Sequence, residues 1–330
     1  MPAPLLSVQD LTTVFRIRGG SVTAVDRVSF DIHVGQIVGL VGESGSGKSA
    51  TALSIAGLIE RPGFILSGRI LLDGKDLVGL PESELTHVRG RQIGYVFQDS
   101  MSSLNPTMRI GDHLVEVVRH HLGLRRRDAY NRAVAALMEV GIPRASERMS
   151  SYPHEFSGGM RQRTMLAMAM VIKPKLLIAD EPTTALDVTI QAQILDLIKD
   201  LAQKHGTAVL LITHDLAVAS QICDFIHVMY AGQIVESAPS QLLFDRPESP
   251  YTEGLLRCLP DIADDPDERF RAIEGTPVDM ASPPAGCRFA PRCEYAREIC
   301  VQSAPRLSPR SPAERMARCW ASEKGGWRVA

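Results

Sequence analysis

Apolar positions along the chain change period several times, and each change marks an element. Residues 22–34 alternate apolar and polar positions with β-branched side chains, and 36–41 form a tight apolar run; both predict strands. The second run ends at the glycine-rich stretch 42–47, after which 51–59 has helical spacing. A strand, a glycine-rich loop and a helix in that order open an α/β domain. Residues 91–97 predict another strand. From 110 to 137 the pattern turns helical, with the basic run 125–127 between two helices as a solvated face. Residues 176–179 and 209–212 are continuous apolar strands of the kind buried in parallel sheets, and 194–203 is an amphipathic helix between them. After about Ser249 prolines multiply and the periodicity fades. The expected division is a main domain over 1–250 and a loop-rich extension over 251–330, held by something other than a core. No internal repeat is present.

Composition narrows the class. The 330 residues exceed the usual size of one hydrophobic core, in keeping with a main domain plus an addition. A formal net charge of -2 gives no global basic field, so no nucleic-acid partner is expected. The most apolar stretches, such as 164–172 and 208–212, fall short of the roughly 20 residues that span a bilayer. The N-terminal stretch lacks a basic region followed by an apolar one, and Asp10 interrupts it, so no signal peptide is expected.

The chemistry begins with Gly42-Glu43-Ser44-Gly45-Ser46-Gly47-Lys48-Ser49, which fits the P-loop pattern G-x-x-x-x-G-K-[ST] in its proper strand–loop–helix setting. Gly42, Gly45 and Gly47 let the backbone wrap phosphates, so that N–H groups, that of Ser44 included, face negative charge. Lys48 is placed to reach the terminal phosphates and the Ser49 hydroxyl to ligate Mg²⁺. Leu176-Leu177-Ile178-Ala179-Asp180-Glu181 supplies a second half: Asp180 at a strand end to hold Mg²⁺ and Glu181 to polarise the attacking water. Phe156-Ser157-Gly158-Gly159-Met160-Arg161-Gln162 places a serine and two glycines at a helix start, a second anion-binding N-terminus.

With that segment the chain resembles the ABC ATPase family, whose signature usually carries Leu first and Gln fifth, where Phe156 and Met160 stand here. The resemblance runs roughly from Leu5 to Pro250. It implies that Ser157 and Gly159 face the γ-phosphate bound by the opposite subunit, and that Gln98 senses Mg²⁺ and water and relays to a membrane subunit. Ala185-Leu186-Asp187 matches the loop that crosses the dimer interface. His214 matches the histidine at the γ-phosphate, and Phe15 lies where an aromatic ring usually stacks on adenine. The implied fold is a RecA-like α/β core with an antiparallel β subdomain and a helical subdomain, about 101–165, that carries the signature. ATP and Mg²⁺ are the implied cofactors, and ATP hydrolysis the activity.

A finer similarity follows. Gly42-Glu43-Ser44, the run from Gln98 to Pro106, the run from Asp187 to Gln193, Val228-Met229-Tyr230-Ala231-Gly232 and Ser249-Pro250-Tyr251-Thr252 resemble the dipeptide/oligopeptide branch of importer ATPases, to which nickel importers also belong. The branch implies a subunit peripheral to the cytoplasmic face of the membrane. Its partners would be a second ATPase subunit, the same or homologous, two transmembrane permease subunits and an extracytoplasmic solute-binding protein. Three rivals have less support. A soluble ABC ATPase of translation or repair would carry two cassettes or long coiled coils; for an iron–sulfur redox protein nothing resembles a flavin or nicotinamide site while the hydrolytic set is complete; and the peptide-branch segments weigh against an exporter motor.

Of six cysteines, four crowd the tail as Cys287-x5-Cys293-x6-Cys300-x18-Cys319, among prolines. In a reducing cytosol such a set suits a metal better than disulfides. Four thiolates can hold Zn²⁺ or a [4Fe–4S] cluster, and the missing close C-x-x-C pairs favour the cluster. The resemblance points the same way, since related peptide-importer subunits carry a cluster in this tail. Cys223 and Cys258 read as ordinary buried thiols.

Overall fold

The computed structural model describes residues 3–98, 103–184, 186–259, 273–311 and 314–323. Residues 99–102, 185 and 312, which belong to segments named above, lie outside the described residues. The elements begin with β1 (Leu6–Ile17), β2 (Gly20–Ile32), β3 (Ile37–Val41), α1 (Lys48–Ile55), β4 (Gly63–Leu72), β5 (Lys75–Asp76), α2 (Glu82–Val88) and β6 (Ile93–Val96). There follow α3 (Ile110–Leu122), α4 (Arg126–Glu139), α5 (Ala145–Arg148), α6 (Gly158–Met170), β7 (Leu176–Asp180), α7 (Val188–His205) and β8 (Ala208–Thr213). The last are α8 (Leu216–Ile222), β9 (Phe225–Tyr230), β10 (Gln233–Pro239), α9 (Ser240–Asp245), α10 (Pro250–Arg257), α11 (Glu298–Gln302), β11 (Ser308–Arg310), β12 (Arg315–Ala317) and α12 (Trp320–Glu323). No helix among the described residues is long and apolar enough to cross a membrane.

The contacts divide the chain into two compact units. The first comprises Met1–Leu5, Ile32–Ile37 and Gly79–Ile212. Its strands β6, β7 and β8 pair in parallel, with Tyr95 opposite Ile178 and Ile178 opposite Leu210. Every residue of β7 and β8 is buried, which is why both are continuous apolar runs without alternation. The helical pattern over 110–137 splits at Gly123, which closes α3 in the left-handed conformation at φ 65°. Arg125 stands before α4 while Arg126 and Arg127 open its first turn, all three exposed. Helices α3, α4 and α6 pack on one another, and α7 packs on α6. Ser157 caps α6 and Asp187 caps α7, each accepting a backbone N–H with its side chain.

The second unit comprises Leu6–Asp31, Val38–Val78 and Thr213–Ala330. One of its sheets has the order β2-β1-β4-β5, with β4 antiparallel to both β1 and β5. Its other strands run β3-β9-β10-β12-β11, with β3 and β9 parallel and the rest antiparallel. Here the chain departs from expectation. The segment after Ser249 shares a core with this unit rather than standing apart from one. Tyr251 is fully buried, and its ring meets those of Tyr230 at 4.6 Å and Phe289 at 5.3 Å. Strands β11 and β12 have three residues each, too short for a period to show in the sequence.

A buried ion pair fastens β12 to β10. Arg315 reaches Glu236 at 3.3 Å with side chains 1% and 0% exposed, and Glu248 at 3.5 Å. The Glu236 carboxylate also accepts the backbone N–H groups of Glu248 and Ser249, both at 2.8 Å. Burial pushes its carboxyl up, while those N–H groups, Thr252 and Arg315 oppose the shift. Removing one partner of such a pair strands a buried charge. We expect Arg315→Met to cost about 3–5 kcal/mol, and the double change with Glu236→Leu to recover part of that. Unfolding midpoints in denaturant test this, and a single variant as stable as the parent would show that the pair does not anchor the extension.

Candidate functional site

The glycine-rich loop lies in the second unit, between β3 and α1. Its path is set by close approach: a Cβ on Gly42 would stand 2.1 Å from the Met229 carbonyl oxygen, and one on Gly47 2.2 Å from that of Ala24. Gly47 also holds φ at 106°, a conformation that suits glycine. Lys48 opens α1 with its side chain buried, and its Nζ donates to the carbonyl oxygens of Gly42 at 2.7 Å and Glu43 at 2.9 Å. Ser44 and Gly45 are exposed at the loop tip, and Ser49 is half-buried in the first turn of α1. An ammonium held by carbonyls at a helix start, beside exposed loop N–H groups, is suited to a polyphosphate.

Three residues to which the sequence assigned no role at this loop hold it, Tyr251 and Gly232 having signalled family resemblance alone and Arg292 nothing. The Tyr251 hydroxyl accepts the Glu43 backbone N–H at 2.8 Å. Arg292 grips the Glu43 carboxylate with both terminal nitrogens, at 2.6 and 3.0 Å. Gly232, at the β9–β10 turn, donates its N–H to the Ser46 carbonyl at 2.8 Å. The run from Val228 to Gly232 had signalled only family resemblance. The available clue was chemical, since an acid inside a phosphate-binding loop calls for a cation beside it.

In the first unit β6 and β7 bring Gln98, Asp180 and Glu181 together. Asp180 is buried, and its Oδ2 accepts the Tyr95 hydroxyl at 3.1 Å. Burial raises the Tyr95 phenol, and the Asp180 charge raises it further, so it stays a donor. Glu181 Oε2 accepts from Gln98 Nε2 and from Thr184 Oγ1, both at 2.9 Å. Glu181 sits at φ 46°, a left-handed conformation that costs a non-glycine residue energy. Adjacent in sequence, the two acids differ in setting: one is buried under a tyrosine and the other half-buried on a glutamine. Tyr95 and Thr184 went unnoticed because neither belongs to a recognised motif.

The signature segment also lies in the first unit. Ser157 Oγ accepts the Met160 N–H at 3.3 Å, and Asp187 Oδ1 accepts that of Ile190 at 2.9 Å. A Cβ on Gly159 would stand 2.9 Å from Ile190 Cγ2, so the two capped helix starts adjoin. Ser157 and Asp187 are exposed. His214 follows β8 and is exposed in the second unit, one residue before Asp215 caps α8. Phe15 is half-buried on β1, where its ring lies over Gly63 of β4.

The four tail cysteines gather around one cavity of about 30 Å³, with Phe289 and Trp320 in its wall. All four are free thiols and half-buried, and Cys287 donates its backbone N–H to the Cys300 carbonyl at 2.7 Å. Burial pushes the Cys287 thiol up, with Cys319 and Cys300 adding to it, and pushes Cys293 to about 12. Thiols so placed keep their protons, and a bound cation would have to displace them. Among the described residues no group of three or more His, Cys, Asp or Glu stands at the spacing that holds a metal ion. The expected ligands therefore share a site without standing at coordination distance. Cys223 is buried as expected; Cys258 is exposed, against expectation, at the C-cap of α10, where its Sγ donates to the Gly254 carbonyl at 3.2 Å.

Comparison with known proteins agrees with this geometry. Residues 25–184 match the family described as ABC transporter, and 235–300 match the oligopeptide/dipeptide transporter C-terminal region. The oligopeptide transport ATP-binding protein OppD of Bacillus subtilis is 50% identical over 91% of this chain and 84% of its own. The protein of the same name from Escherichia coli is 47% identical over 96% and 93%. A dimeric ATP-binding cassette solved in a post-hydrolysis state with ADP and Pi superposes with a TM-score of 0.64 at 26% identity, covering 71% of this chain and 98% of that one. The chain belongs to the ATP-binding subunits of the ABC transporters, in their oligopeptide/dipeptide branch.

Proposed function

We propose that this ABC ATPase drives the uptake of short peptides through separate membrane subunits, from a peripheral position on the cytoplasmic face. The observation that carries the reading is the match to oligopeptide transport ATP-binding proteins over nearly the whole chain, tail included. In this reading residues 1–250 are the nucleotide-binding domain, with a helical subdomain near 101–165, and 251–330 are its extension. The partners are a second ATPase subunit, two permease subunits and an external solute-binding protein. Uptake of a labelled tripeptide by cells carrying the intact complex tests the substrate; uptake of nickel instead would overturn it.

The residues take roles that their surroundings favour. Lys48 meets the terminal phosphates, and Gly42, Ser44, Gly45 and Gly47 line their cradle. Ser49 of the second unit, and Asp180 and Gln98 of the first, would serve as Mg²⁺ ligands, and the ion when bound would supply neutralisation of phosphate charge. Glu181 accepts a proton from the attacking water, with Gln98 and Thr184 orienting its carboxylate. His214 contacts the γ-phosphate and Phe15 the adenine. Ser157, Gly159 and Asp187 face the nucleotide of the opposite subunit, so that two chains complete each site.

Glu181→Gln is expected to keep ATP binding while slowing hydrolysis roughly 10²–10⁴-fold, whereas Lys48→Ala weakens binding itself. Nucleotide affinity and steady-state ATPase in the assembled complex distinguish the two, and near-parental turnover by Glu181→Gln would remove it as the base. The isolated chain is expected to turn over ATP slowly, and Ser157→Arg to block pairing with Lys48 intact. A purified monomer, verified by light scattering, as active as the complex would rule out a shared site.

The tail is read as a metal–thiolate centre in which Cys287, Cys293, Cys300 and Cys319 hold a [4Fe–4S] cluster. Support comes from their convergence on one cavity without disulfides and from the absence of zinc-type C-x-x-C pairs. Protein purified without oxygen is expected to contain iron and acid-labile sulfide, with visible absorption from iron–thiolate charge transfer. Stoichiometric zinc without iron would replace the cluster and keep the ligands; no metal with a well-ordered tail would remove the site.

A further inference from the structure

We infer that Arg292 is a positioning residue for the phosphate-binding loop, and that through it the cysteine-bearing segment sets the affinity for ATP. The inference rests on the reading that Gly42–Ser49 cradles the nucleotide phosphates, and adds a residue 249 positions away to that machinery.

The geometry is specific. Arg292 presents both terminal nitrogens to the two Glu43 oxygens, the bidentate arrangement that fixes a carboxylate in orientation as well as distance. Its side chain is 3% exposed against 27% for Glu43, so the guanidinium side of the pair is withdrawn from water. Nε donates to the Glu274 carbonyl at 3.0 Å, and a terminal nitrogen donates to that of Ile273 at 3.1 Å. The Tyr230 ring lies 5.8 Å from the guanidinium carbon. Arg292 is thus immobilised by its own segment and applied to Glu43 from there.

Glu43 is held at three points. Tyr251 takes its N–H, Arg292 takes its carboxylate, and its carbonyl carries Lys48 Nζ at 2.9 Å. Moving Glu43 therefore moves one of the two carbonyls that aim the Lys48 ammonium. An ion pair on the loop surface would be worth little. A fork on the very residue whose carbonyl accepts from the lysine acts on the direction of a charge.

Arg292 also precedes Cys293 directly, and this adjacency recurs. Arg288 follows Cys287 and bonds to the Ala231 carbonyl and to Asp26. Arg318 precedes Cys319 and donates to the Ile234 carbonyl at 3.0 Å. Three of the four gathered cysteines thus have a neighbouring arginine tied to Glu43, to Asp26 and Ala231, or to Ile234 within the same unit. The position of the thiols and that of the guanidiniums are fixed together by the short peptide between them.

The test uses the full chain and ATP with Mg²⁺, titrated by calorimetry. Arg292→Gln and Glu43→Gln are each expected to weaken ATP binding about 5–50-fold, within the usual range for coupling between sites. The double variant is expected to be no weaker than either, and Arg292→Lys, which keeps the charge without the fork, to fall between. In the assembled complex the change should appear in KM for ATP more than in kcat. Arg257→Gln is the control, since Arg257 joins Glu253 and Glu294 in the same segment without touching the loop, and it should bind ATP like the parent. Cys293→Ser should weaken binding in the parent but have little further effect beside Arg292→Gln.

Arg292→Gln within about twofold of the parent, or a strictly additive double variant, would overturn the inference. So would an equal loss in Arg257→Gln, which would mark general loosening, or an equal effect of Cys293→Ser in both backgrounds. Should Arg292→Gln not fold, Glu43→Gln and Arg292→Lys carry the comparison. Lys48→Ala separates the two readings. If it binds ATP normally, the phosphate cradle itself is misassigned; if it loses binding while Arg292 and Glu43 variants do not, only the present inference fails.

Discussion

Burying the ammonium of Lys48 is the constraint from which much of the second unit follows. A charge withdrawn from water is costly unless hydrogen bonds replace the water. Here the replacements include the carbonyls of Gly42 and Glu43, which turn inward along this loop path. That path runs so close to the carbonyls of Met229 and Ala24 that a Cβ at Gly42 or Gly47 has no room. The glycines, the buried lysine and the tight backbone passage are one requirement expressed three ways. Glu43, once its carbonyl is committed to Lys48, must be held elsewhere, and Tyr251 and Arg292 do so.

The first unit solves a different electrostatic problem. Two adjacent carboxylates, those of Asp180 and Glu181, are given different surroundings. Asp180 is buried at the end of β7, where its Oδ2 accepts the Tyr95 hydroxyl. Glu181 leaves the strand in a strained backbone conformation, and bonds from Gln98 and Thr184 hold it there. Strain of this kind persists where surrounding structure over-determines it, and it clusters at functional sites. The parallel pairing of β6 with β7 places Gln98 and Tyr95 within reach.

The segment after Ser249 takes part in the second unit's core through three kinds of interaction. The Tyr230, Tyr251 and Phe289 rings supply apolar contact, β12 adds a strand to β10, and Arg315 makes a buried ion pair with Glu236. Its few apolar residues pack on Tyr230 of β9, and its strand β12 pairs with β10. The segment completes a core and has no need to build one.

Much was legible in the sequence, and for a local reason. The P-loop spacing and the Ser157 helix start are patterns whose bonds close within a few residues, and the Asp180-Glu181 strand end is marked by the apolar run that precedes it, so local sequence encodes them. The caps at Ser157 and Asp187, the buried runs of β7 and β8 and the break at Gly123 are likewise local. Arg292 on Glu43, Tyr251 on the same residue, Tyr95 on Asp180 and Arg315 on Glu236 were not legible, because their partners lie from 79 to 249 positions away. Nor was the place of the tail, whose three-residue strands have no period of their own. What the sequence determined by itself is which residue types stand at each loop and helix start. The tertiary structure decided which distant charges hold those loops in place, since a long-range pair depends on the folded path between its ends and leaves no spacing to read.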